Sequence, residues 1–307
     1  MRWLAKSVVQ NVIHLLPKEE VVNHFFQVRV SRRLPLDDGH LRKKAEDAGR
    51  HLAVIRDAGH ELERIRAFEF GAGWDLVGPL CFWLAGVNDQ TLVDIAPHTR
   101  LSLVNHTLQR LHHLAPELEQ ALGGSLRTLD PAPLTSLTDL RERFGISYLA
   151  PVDAAATGHP DATFDVVTTS DTLEHIPAAA LPSILRECRR ILKPDGIMSH
   201  LVDMMDHYRY IDPKITVYNF LQYSDRAWRL LNSPIEPQNR LRLPDYQAIF
   251  ADAGLTILDQ EVKEPTAKDL EWLARADLAE RFRGYDLPSL GAKAVRITAV
   301  AAGAPAT

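Results

Sequence analysis

A short apolar run that ends in two glycines constrains this chain more than any other feature. Residues 65–70 are mostly apolar, Gly71 and Gly73 follow one residue apart, and residues 76–84 are again apolar. This order predicts a strand, a tight turn and a helix, because glycine adopts turn conformations that other residues avoid. The N–H groups at the start of such a helix face any ligand that approaches the turn. The segment therefore predicts a nucleotide-binding cradle.

A second apolar run ends in an acid about 20 residues further on, the spacing at which a carboxylate can bind a ribose diol. That acid is Asp94. A dinucleotide-binding loop would place a third glycine where Leu76 stands, and a P-loop would continue into a lysine. This turn has neither, and instead Glu69 precedes Gly71 by two residues.

The strand and helix signals continue downstream. Residues 164–169 predict a buried strand, and a polar loop that contains Leu173-Glu-His-Ile176 follows it. Apolar residues at spacings of three and four then predict a helix over 181–192. Lys193-Pro-Asp-Gly196 breaks that helix before the apolar run 197–202.

In this order the features resemble motif I (E-x-G-x-G), the motif IV strand, its Leu-Glu-His-Ile loop and the Leu-Lys-Pro-Gly-Gly turn of class I S-adenosylmethionine (SAM) methyltransferases. Asp195 replaces the first glycine of that turn. The resemblance covers residues 60–260 well and residues 1–60 only vaguely. It implies an α/β fold with a doubly wound, seven-stranded, mostly parallel sheet, an N-terminal helical cap and a lid insertion after strand 5. It also implies SAM as cofactor.

The alternation of strands and helices supports the same architecture. We predict strands near 65–70, 91–95, 146–150, 164–169, 196–203, 255–261 and 293–300. In the resemblance the seventh strand is antiparallel.

The domain organisation combines these signals with what the resemblance implies. We predict an N-terminal helical cap over 1–60, a SAM-binding methyltransferase domain over 61–302 and a flexible tail over 303–307. The segment 203–242, dense in Tyr, His, Asp and Arg, predicts a lid over the substrate. Residues 115–140, with two adjacent glycines and several prolines, predict a loop followed by a short helix over 134–144.

The resemblance assigns the cofactor to the residues that follow the first four strands. Glu69, Gly71 and Gly73 are expected at the methionine end of SAM, Asp94 at the ribose hydroxyls, and Asp153 at the adenine amine. The full set of cofactor-binding candidates is Glu69, Gly71, Ala72, Gly73, Asp94, Ile95, Asp153, Ala154 and Ser170. The alternative for both aspartates is a strand-end acid that caps the next helix.

The loop Asp171-Thr-Leu-Glu174-His175 lies where open α/β sheets bind ligands. In one interpretation His175 is a general base for a substrate hydroxyl. In a second, Asp171, Glu174 and His175 hold a divalent metal, as a similar acid-x-x-Glu-His loop of ubiquinone-pathway O-methyltransferases implies, although their first acid is Glu. Imidazole would favour Mn²⁺, Fe²⁺ or Zn²⁺ over Mg²⁺. In a third, the histidine only orders the loop. A bound metal is the less expected outcome.

The start of the lid supplies further candidates. His207 and Tyr208 follow the fifth strand closely and complete the catalytic candidates with Asp171, Glu174 and His175. Arg240 and Arg242 either bind a carboxylate or phosphate of the substrate or form surface ion pairs. Aromatic residues either line a substrate pocket or pack the lid onto the body, namely Tyr218, Phe220, Tyr223 and Trp228.

Composition narrows the partners. A formal net charge of −5 over 307 residues offers no broad basic surface, which counts against a nucleic-acid substrate. No apolar run reaches the roughly 18 residues of a membrane-spanning helix, so we expect no integral membrane segment.

Cys81 and Cys188 have no metal or disulfide spacing and predict buried thiols in a reducing cytoplasm. Residues 1–16 predict an amphipathic helix that packs on the domain or a partner, with weak contact to a membrane surface as the lesser alternative.

We therefore expect a cytoplasmic SAM-dependent methyltransferase that acts on a small molecule or a sugar, at oxygen. One alternative is a metal-assisted methyltransferase with a site at Asp171, Glu174 and His175, and another is N- or C-methylation of a natural-product intermediate. A third is a non-catalytic scaffold, against which the joint presence of Glu69, Gly71, Gly73 and Asp94 argues. The oligomeric state stays open, a homodimer among the options, and no motif names the acceptor.

Overall fold

The computed structural model describes residues 2–14 and 34–303, which form a single seven-stranded sheet flanked by helices. The strand order is β3-β2-β1-β4-β5-β7-β6. The bounds are β1 Arg66–Phe70, β2 Asp89–Val93, β3 Ile146–Leu149, β4 Phe164–Ser170, β5 Leu192–Asp203, β6 Leu255–Lys263 and β7 Ala294–Ala301. The pairs among β1 to β5 are parallel, and β7 is antiparallel to both β5 and β6. The predicted seven-stranded, mostly parallel sheet is confirmed.

Ten α-helices lie among the described residues, and short 3₁₀ turns join some of them. The first five helices are α1 Arg2–His14, α2 Asp38–Asp57, α3 Val77–Leu84, α4 Leu101–Leu122 and α5 Leu137–Phe144. The others are α6 Leu181–Ile191, α7 Asp225–Leu231, α8 Leu243–Asp252, α9 Ala267–Arg275 and α10 Leu287–Gly291. None of these helices is long and apolar enough to cross a membrane.

Alternate residues of the strands supply two separate apolar cores, because side chains along a strand point to opposite faces. Ala67 and Val166 pack with α2, α3, α4 and α5 on one face of the sheet. Phe68 and Val167 pack with α6 and α8 on the other. The helices thus cover both faces, as parallel sheets require. Cys81 and Cys188 are free thiols buried in these cores, as predicted.

The lid segment has an aromatic core of its own. Tyr218, Phe220 and Trp228 are buried there with residues of α9 and α10. Trp3 of α1 joins this core, with its ring centroid 5.4 Å from that of Tyr208. Of the two interpretations of these aromatic residues, packing of the lid is therefore the one observed.

Helix α1 docks onto the lid through polar contacts as well. Lys6 Nζ lies 3.0 Å from Glu236 Oε2, and Ser7 Oγ donates to the carbonyl of Leu231 at 2.6 Å. The predicted N-terminal helix is thus confirmed and packs on this chain. The part of the predicted helical cap over residues 15–33 lies outside the described residues.

The loop predicted over 115–140 is wrong at its start, because α4 continues through Pro116 to Leu122. Proline removes one backbone hydrogen bond from a helix. Leu118 and Leu122 are nevertheless buried on the face that α4 presents to the core, and that burial outweighs the loss. The helix ends at Gly123, whose φ is +82°.

Helix α2 approaches α4 closely at a glycine. A Cβ on Gly49 would lie 1.9 Å from the carbonyl oxygen of Ala121, in the last turn of α4. We expect Gly49→Ala to lower the free energy of unfolding by about 1–3 kcal/mol, because the two helices must separate. Urea unfolding followed by circular dichroism measures this change.

Gly39→Ala is the matched control, since a Cβ there meets its nearest atom at 3.4 Å. Equal stability of the two variants would contradict the close packing of α2 on α4.

Candidate functional site

Two adjoining cavities lie at the carboxyl ends of β1, β2 and β4. The smaller, of about 200 Å³, lies between α2 and the glycine turn. The larger, of about 590 Å³, is bounded by the turn, by residues 94–98, by residues 171–176 and by lid residues 234–237. Gly71, Gly73, Trp74 and Asp171 border both. Cavities of a few hundred Å³ are typical of small-molecule sites.

The glycine turn has the backbone that the sequence predicts. Gly71 and Gly73 have φ values of +74° and +75°, which favour glycine. A Cβ on Gly71 would lie 2.3 Å from Cγ2 of Thr172, so this glycine lets the 171–175 loop approach. A Cβ on Gly73 would meet no described atom within 4 Å. The backbone at Gly73 therefore borders open space that a ligand can fill.

Asp94 is buried at the end of β2. Its Oδ2 accepts hydrogen bonds from the N–H of Gly73 at 3.2 Å and from the hydroxyl of Tyr148 at 3.0 Å. Burial raises the pKa of Asp94 to about 7, against the effect of these two bonds. Tyr148, on β3, did not figure in the sequence prediction, because its contact with Asp94 depends on the β2–β3 pairing.

Glu69 lies on the neighbouring strand β1. Burial, and then the nearby charge of Asp94, raise the pKa of Glu69 to about 8, and Lys44 opposes the shift. The cleft thus holds two carboxylates that a positively charged ligand would stabilise in their ionised form.

Helix α2 contributes residues that the sequence prediction missed. Lys44, Asp47 and His51 line the smaller cavity, and Lys44 Nζ lies 3.0 Å from Asp75 Oδ1. Their spacings of three and four place them on one side of a helix. That spacing is visible in the sequence and was a usable signal.

The ring of His51 joins α2 to the sheet. Its Nδ1 lies 2.7 Å from Ser199 Oγ and 3.1 Å from Nη1 of Arg296, and its Nε2 lies 3.0 Å from Ser170 Oγ. Burial, and then the charge of Arg296, lower the pKa of His51 well below its ordinary value. His51 is therefore neutral.

The loop that follows β4 begins at Asp171, whose φ is +50°. His175 Nδ1 lies 2.7 Å from the carbonyl oxygen of Pro237. A carbonyl only accepts, so Nδ1 carries the proton. Burial, and then His207, lower the pKa of His175. The ring is thus neutral near pH 7, with the lone pair on Nε2.

Glu174 belongs to this loop and is 3% exposed. Its Oε1 accepts from the N–H of Asp203 at 3.3 Å, while Oε2 has no hydrogen-bond partner among the described residues. Burial, followed by Asp171 and Asp203, raises the pKa of Glu174 well above its ordinary value.

Glu174, His175 and His207 each offer one ligand atom, and these atoms lie within 4.8 Å of one another. The sequence had grouped Asp171 with Glu174 and His175, so His207 takes the place of Asp171 in this cluster. His207 Nε2 also lies 3.4 Å from Asp203 Oδ2. The donor set of two imidazoles and a carboxylate suits Zn²⁺, Mn²⁺ or Fe²⁺.

Other predicted site residues lie apart from the two cavities. Asp153 is exposed, and its Oδ1 accepts from the N–H of Ala155 at 2.8 Å. Neither Asp153 nor Ala154 is among the described residues that line either cavity. His207 and Tyr208 border a separate small cavity, and the Tyr208 hydroxyl donates to the carbonyl of Leu231.

The remaining cofactor candidates lie at the cleft. Ala72 and Ser170 line the smaller cavity, and Ile95 lines the larger one with 68% of its surface exposed. Of the catalytic candidates, Asp171 and His175 border the larger cavity.

Arg240 and Arg242 were predicted either to bind the substrate or to form surface ion pairs. Both alternatives are wrong for Arg242, whereas Arg240 does form an ion pair, although its own side chain is buried. Arg242 is fully buried and donates to the carbonyls of Met204 and Ala292. Arg240 is 3% exposed and donates to the carbonyls of Phe220 and Tyr223, with Asp225 as its ionic partner. Both guanidinium groups hold the lid segment in place.

Residues 115–199 match the family described as "Methyltransferase domain". No curated protein matches the chain.

Solved structures of similar topology include a 1,6-didemethyltoxoflavin-N1-methyltransferase from Burkholderia thailandensis (13% identity, 92% of this chain and 88% of that chain, TM-score 0.48). Another is a putative sarcosine dimethylglycine methyltransferase from Galdieria sulphuraria (16% identity, 83% and 85%, TM-score 0.45). A third is an S-adenosylmethionine dependent methyltransferase from Mesorhizobium loti (15% identity, 80% and 95%, TM-score 0.42).

The strand order with an antiparallel β7, and a glycine turn beside acids at the ends of β1 and β2, define the class I methyltransferase fold. The methyltransferase domain match over 115–199 falls within this fold and includes β3, β4 and α6.

Proposed function

We propose that this chain transfers the methyl group of SAM to a hydroxyl of a small acceptor, with His175 as the proton acceptor. The observation that carries the proposal is the state of His175. Its Nδ1 proton is committed to the carbonyl of Pro237, and its side chain borders the same cavity as Asp94. Nε2 is thereby the basic nitrogen of a neutral imidazole.

The residues of the cleft fit SAM. Half-buried Glu69 and buried Asp94 have raised pKa values that a cation would lower, and the backbone at Gly73 borders open space. Glu69, the turn and Lys44 would hold the charged methionine end, and Asp94 would accept from the ribose hydroxyls. Ile95 would lie beside the adenine, and Asp153 stays a prediction for its amine. When bound, SAM supplies an electrophilic methyl group.

The chain's own contribution is placement and proton transfer. The 171–176 loop and the lid residues 234–237 enclose the larger cavity opposite the glycine turn, which would hold an acceptor oxygen near the cofactor. His175 Nε2 would take the proton of that hydroxyl as the oxygen attacks. A positioned base contributes roughly 10²–10⁴-fold to the rate.

Cofactor binding should depend on pH, because Glu69 and Asp94 must be ionised to act. With pKa values of about 8 and about 7 in the free protein, both carboxylates are largely protonated at pH 6 and ionised at pH 9. We expect the affinity for SAM to rise over this range, by up to about tenfold per pH unit for each proton released. Calorimetry in buffers of different ionisation enthalpy counts these protons.

Two controls separate the carboxylates. S-Adenosylhomocysteine lacks the sulfonium charge, so its binding should release fewer protons from the protein. Asp94→Asn should weaken the binding of SAM and reduce the pH dependence of the affinity that remains. Affinity that stays constant from pH 6 to pH 9, or an Asp94→Asn variant that binds SAM normally, would show that these carboxylates do not hold the cofactor.

The role of His175 is tested by its removal. We expect His175→Gln, which keeps an amide donor for the Pro237 carbonyl, to lower kcat by about 10²–10⁴-fold with the affinity for SAM unchanged. In the wild type, kcat/KM should be flat at high pH and fall only below the ordinary imidazole pKa, because burial and His207 lower the pKa of His175. Formation of S-adenosylhomocysteine over a panel of phenols, alcohols and sugars is the measurement.

His113→Ala is the matched control, since His113 is exposed on α4. A His175→Gln variant within a few-fold of wild type would refute the base. Mass spectra of the product decide between methylation at oxygen, nitrogen and carbon.

A second candidate function is metal-assisted methylation, and one observation favours it. Glu174 Oε2 is buried without a hydrogen-bond partner in the described part of the chain, and it belongs to the cluster with His175 and His207. Buried carboxylates of this kind are commonly paired or bound to a metal. A cation bound by Glu174, His175 and His207 would also bind the acceptor oxygen on the side of the loop where the imidazole of His175 lies.

Metal binding distinguishes the two candidates without reference to turnover. If the second is correct, Zn²⁺ should bind with one-to-one stoichiometry in competition with a chromophoric chelator, and both Glu174→Gln and His207→Ala should abolish that binding. Chelation should then also stop methyl transfer. Turnover that survives chelation, in a protein that does not bind Zn²⁺, leaves His175 as the base.

A further inference from the structure

Tyr148 lies beside Asp94 because of the register between two strands. Leu92 on β2 pairs with Tyr148 on β3, and the N–H of Asp94 still donates to the carbonyl of Leu149 beyond the end of β2. Side chains two residues apart lie on the same face of a strand, so Asp94 and Tyr148 share the face that Leu92 occupies. The ring of Tyr148 packs against the core on that face, and its hydroxyl reaches the Asp94 carboxylate.

The hydroxyl of Tyr148 holds one oxygen of this carboxylate. It lies 3.0 Å from Asp94 Oδ2 and 3.4 Å from the carbonyl oxygen of Ala96. A hydroxyl has one hydrogen to donate, and the nearer acceptor takes it, the more so once Asp94 is ionised. Burial, and then the charge of Asp94, raise the pKa of Tyr148, so the phenol keeps its hydrogen at neutral pH.

Four hydrogen bonds close a ring around this oxygen, since the N–H of Gly73 also donates to Asp94 Oδ2. The Tyr148 hydroxyl accepts from the N–H of Thr99 at 3.3 Å, and Thr99 Oγ1 donates to the carbonyl of Gly73 at 2.8 Å. Thr99 is buried. Its N–H makes the phenol a better donor to the carboxylate, because hydrogen bonds in series polarise one another.

The ring leaves a preferred oxygen of Asp94 for a ligand. The hydrogen bonds that the Asp94 side chain accepts from the described residues both end on Oδ2. Because an oxygen that accepts two hydrogens has little capacity left, Oδ1 is the atom that a ligand hydroxyl would meet. Asp94 borders the larger cavity. A carboxylate that is already held by one oxygen loses less conformational freedom when a ligand binds to the other.

The ionisable neighbours of Asp94 come from several elements. Glu69 lies on the adjoining strand β1, and its pKa reflects the charge of Asp94. Tyr148 acts directly, through a hydrogen bond that opposes the effect of burial on the pKa of Asp94. Other ionisable residues around the cavity that Asp94 borders are His98, Asp171, His175 and Glu236.

We propose that Tyr148 is a positioning residue for the cofactor: its hydroxyl holds Oδ2 of Asp94 within the hydrogen-bond ring and so turns Oδ1 toward the ribose of SAM. This inference rests on the proposed function and adds a residue to its cofactor site. Tyr148 acts through Asp94, whereas Thr99 acts through the glycine turn. The two therefore differ in their dependence on pH, because only the phenol stabilises the ionised carboxylate.

Tyr148→Phe keeps the ring and removes the donor, so Asp94 should ionise at a higher pH. We expect the variant to bind SAM a few-fold more weakly than the wild type at pH 9, where only the orientation of Asp94 is lost. At pH 6 the difference should be about tenfold larger, because the variant must release a proton that is held more tightly, by the effect of one hydrogen bond to a charged group. Calorimetry on the full chain measures both affinities.

Two further variants separate ionisation from packing. Thr99→Val removes the hydroxyl and keeps the N–H that bonds to Tyr148, so it should weaken SAM binding by the same factor at pH 6 and pH 9. Tyr285→Phe is the matched control, because the Tyr285 hydroxyl also donates to a carboxylate, Asp245 Oδ1 at 2.6 Å, and neither residue lines either cavity. It should leave the affinity unchanged at both pH values.

The free protein gives a second measurement that needs no cofactor. In chain labelled with ¹³C at the aspartate carboxyl carbons, the Asp94 signal is the one that disappears in Asp94→Asn. Its titration midpoint should lie about one pH unit higher in Tyr148→Phe than in the wild type.

An unchanged midpoint, or a Tyr148→Phe variant that loses the same factor in SAM affinity at pH 6 and pH 9, would overturn the proposal and leave the proposed function intact. Normal binding of SAM by Tyr148→Phe at both pH values would do the same. Failure of the wild type to bind SAM would instead refute the proposed function, and with it the ribose as the partner of Oδ1.

Discussion

Glu69 and Asp94 lie at the carboxyl ends of two neighbouring parallel strands, and each has a raised pKa because it is buried. Parallel pairing of β1 with β2 forces these two acids together, and the glycine turn supplies only one N–H to Asp94. Their ionisation is costly until a cation enters the cleft. A sheet register that serves the fold thus places two carboxylates with raised pKa values beside the same cleft, and a bound cation would lower both pKa values.

The lid segment is held in a different way. The buried guanidinium groups of Arg240 and Arg242 provide hydrogen bonds to backbone carbonyls that strands and helices provide elsewhere in the fold. Arg242 donates to carbonyls 38 and 50 residues away in sequence, and Arg240 donates to two carbonyls near the 3₁₀ turn at Asn219–Gln222. These bonds satisfy backbone groups that an irregular segment would otherwise leave unpaired in the interior. They hold the lid segment that includes Pro237, whose carbonyl sets the protonated nitrogen of His175.

What the sequence could predict depended on how local each signal was. The glycine turn and Asp94 were found because a strand end and a turn lie within a few residues. Pro116 led to a wrong loop, because the residues that bury the following turn of α4 act through tertiary packing. Tyr148 and Arg242 were missed or misassigned for the same reason: a phenol or a guanidinium in the sequence does not reveal whether its partner is a ligand or the chain itself.

The His51 contacts determine which kind of hydrogen bond one wall of the cleft offers. A guanidinium can only donate, so the approach of Arg296 Nη1 to Nδ1 makes Nδ1 an acceptor and puts the single ring proton on Nε2. Nε2 then donates to Ser170 Oγ, which leaves the hydrogen of that hydroxyl to be directed elsewhere. Ser170 lines the smaller cavity. The buried guanidinium of Arg296 on β7 therefore fixes the position of the ring proton of His51. As a result, the hydroxyl of Ser170 offers a hydrogen-bond donor to any ligand in the cleft.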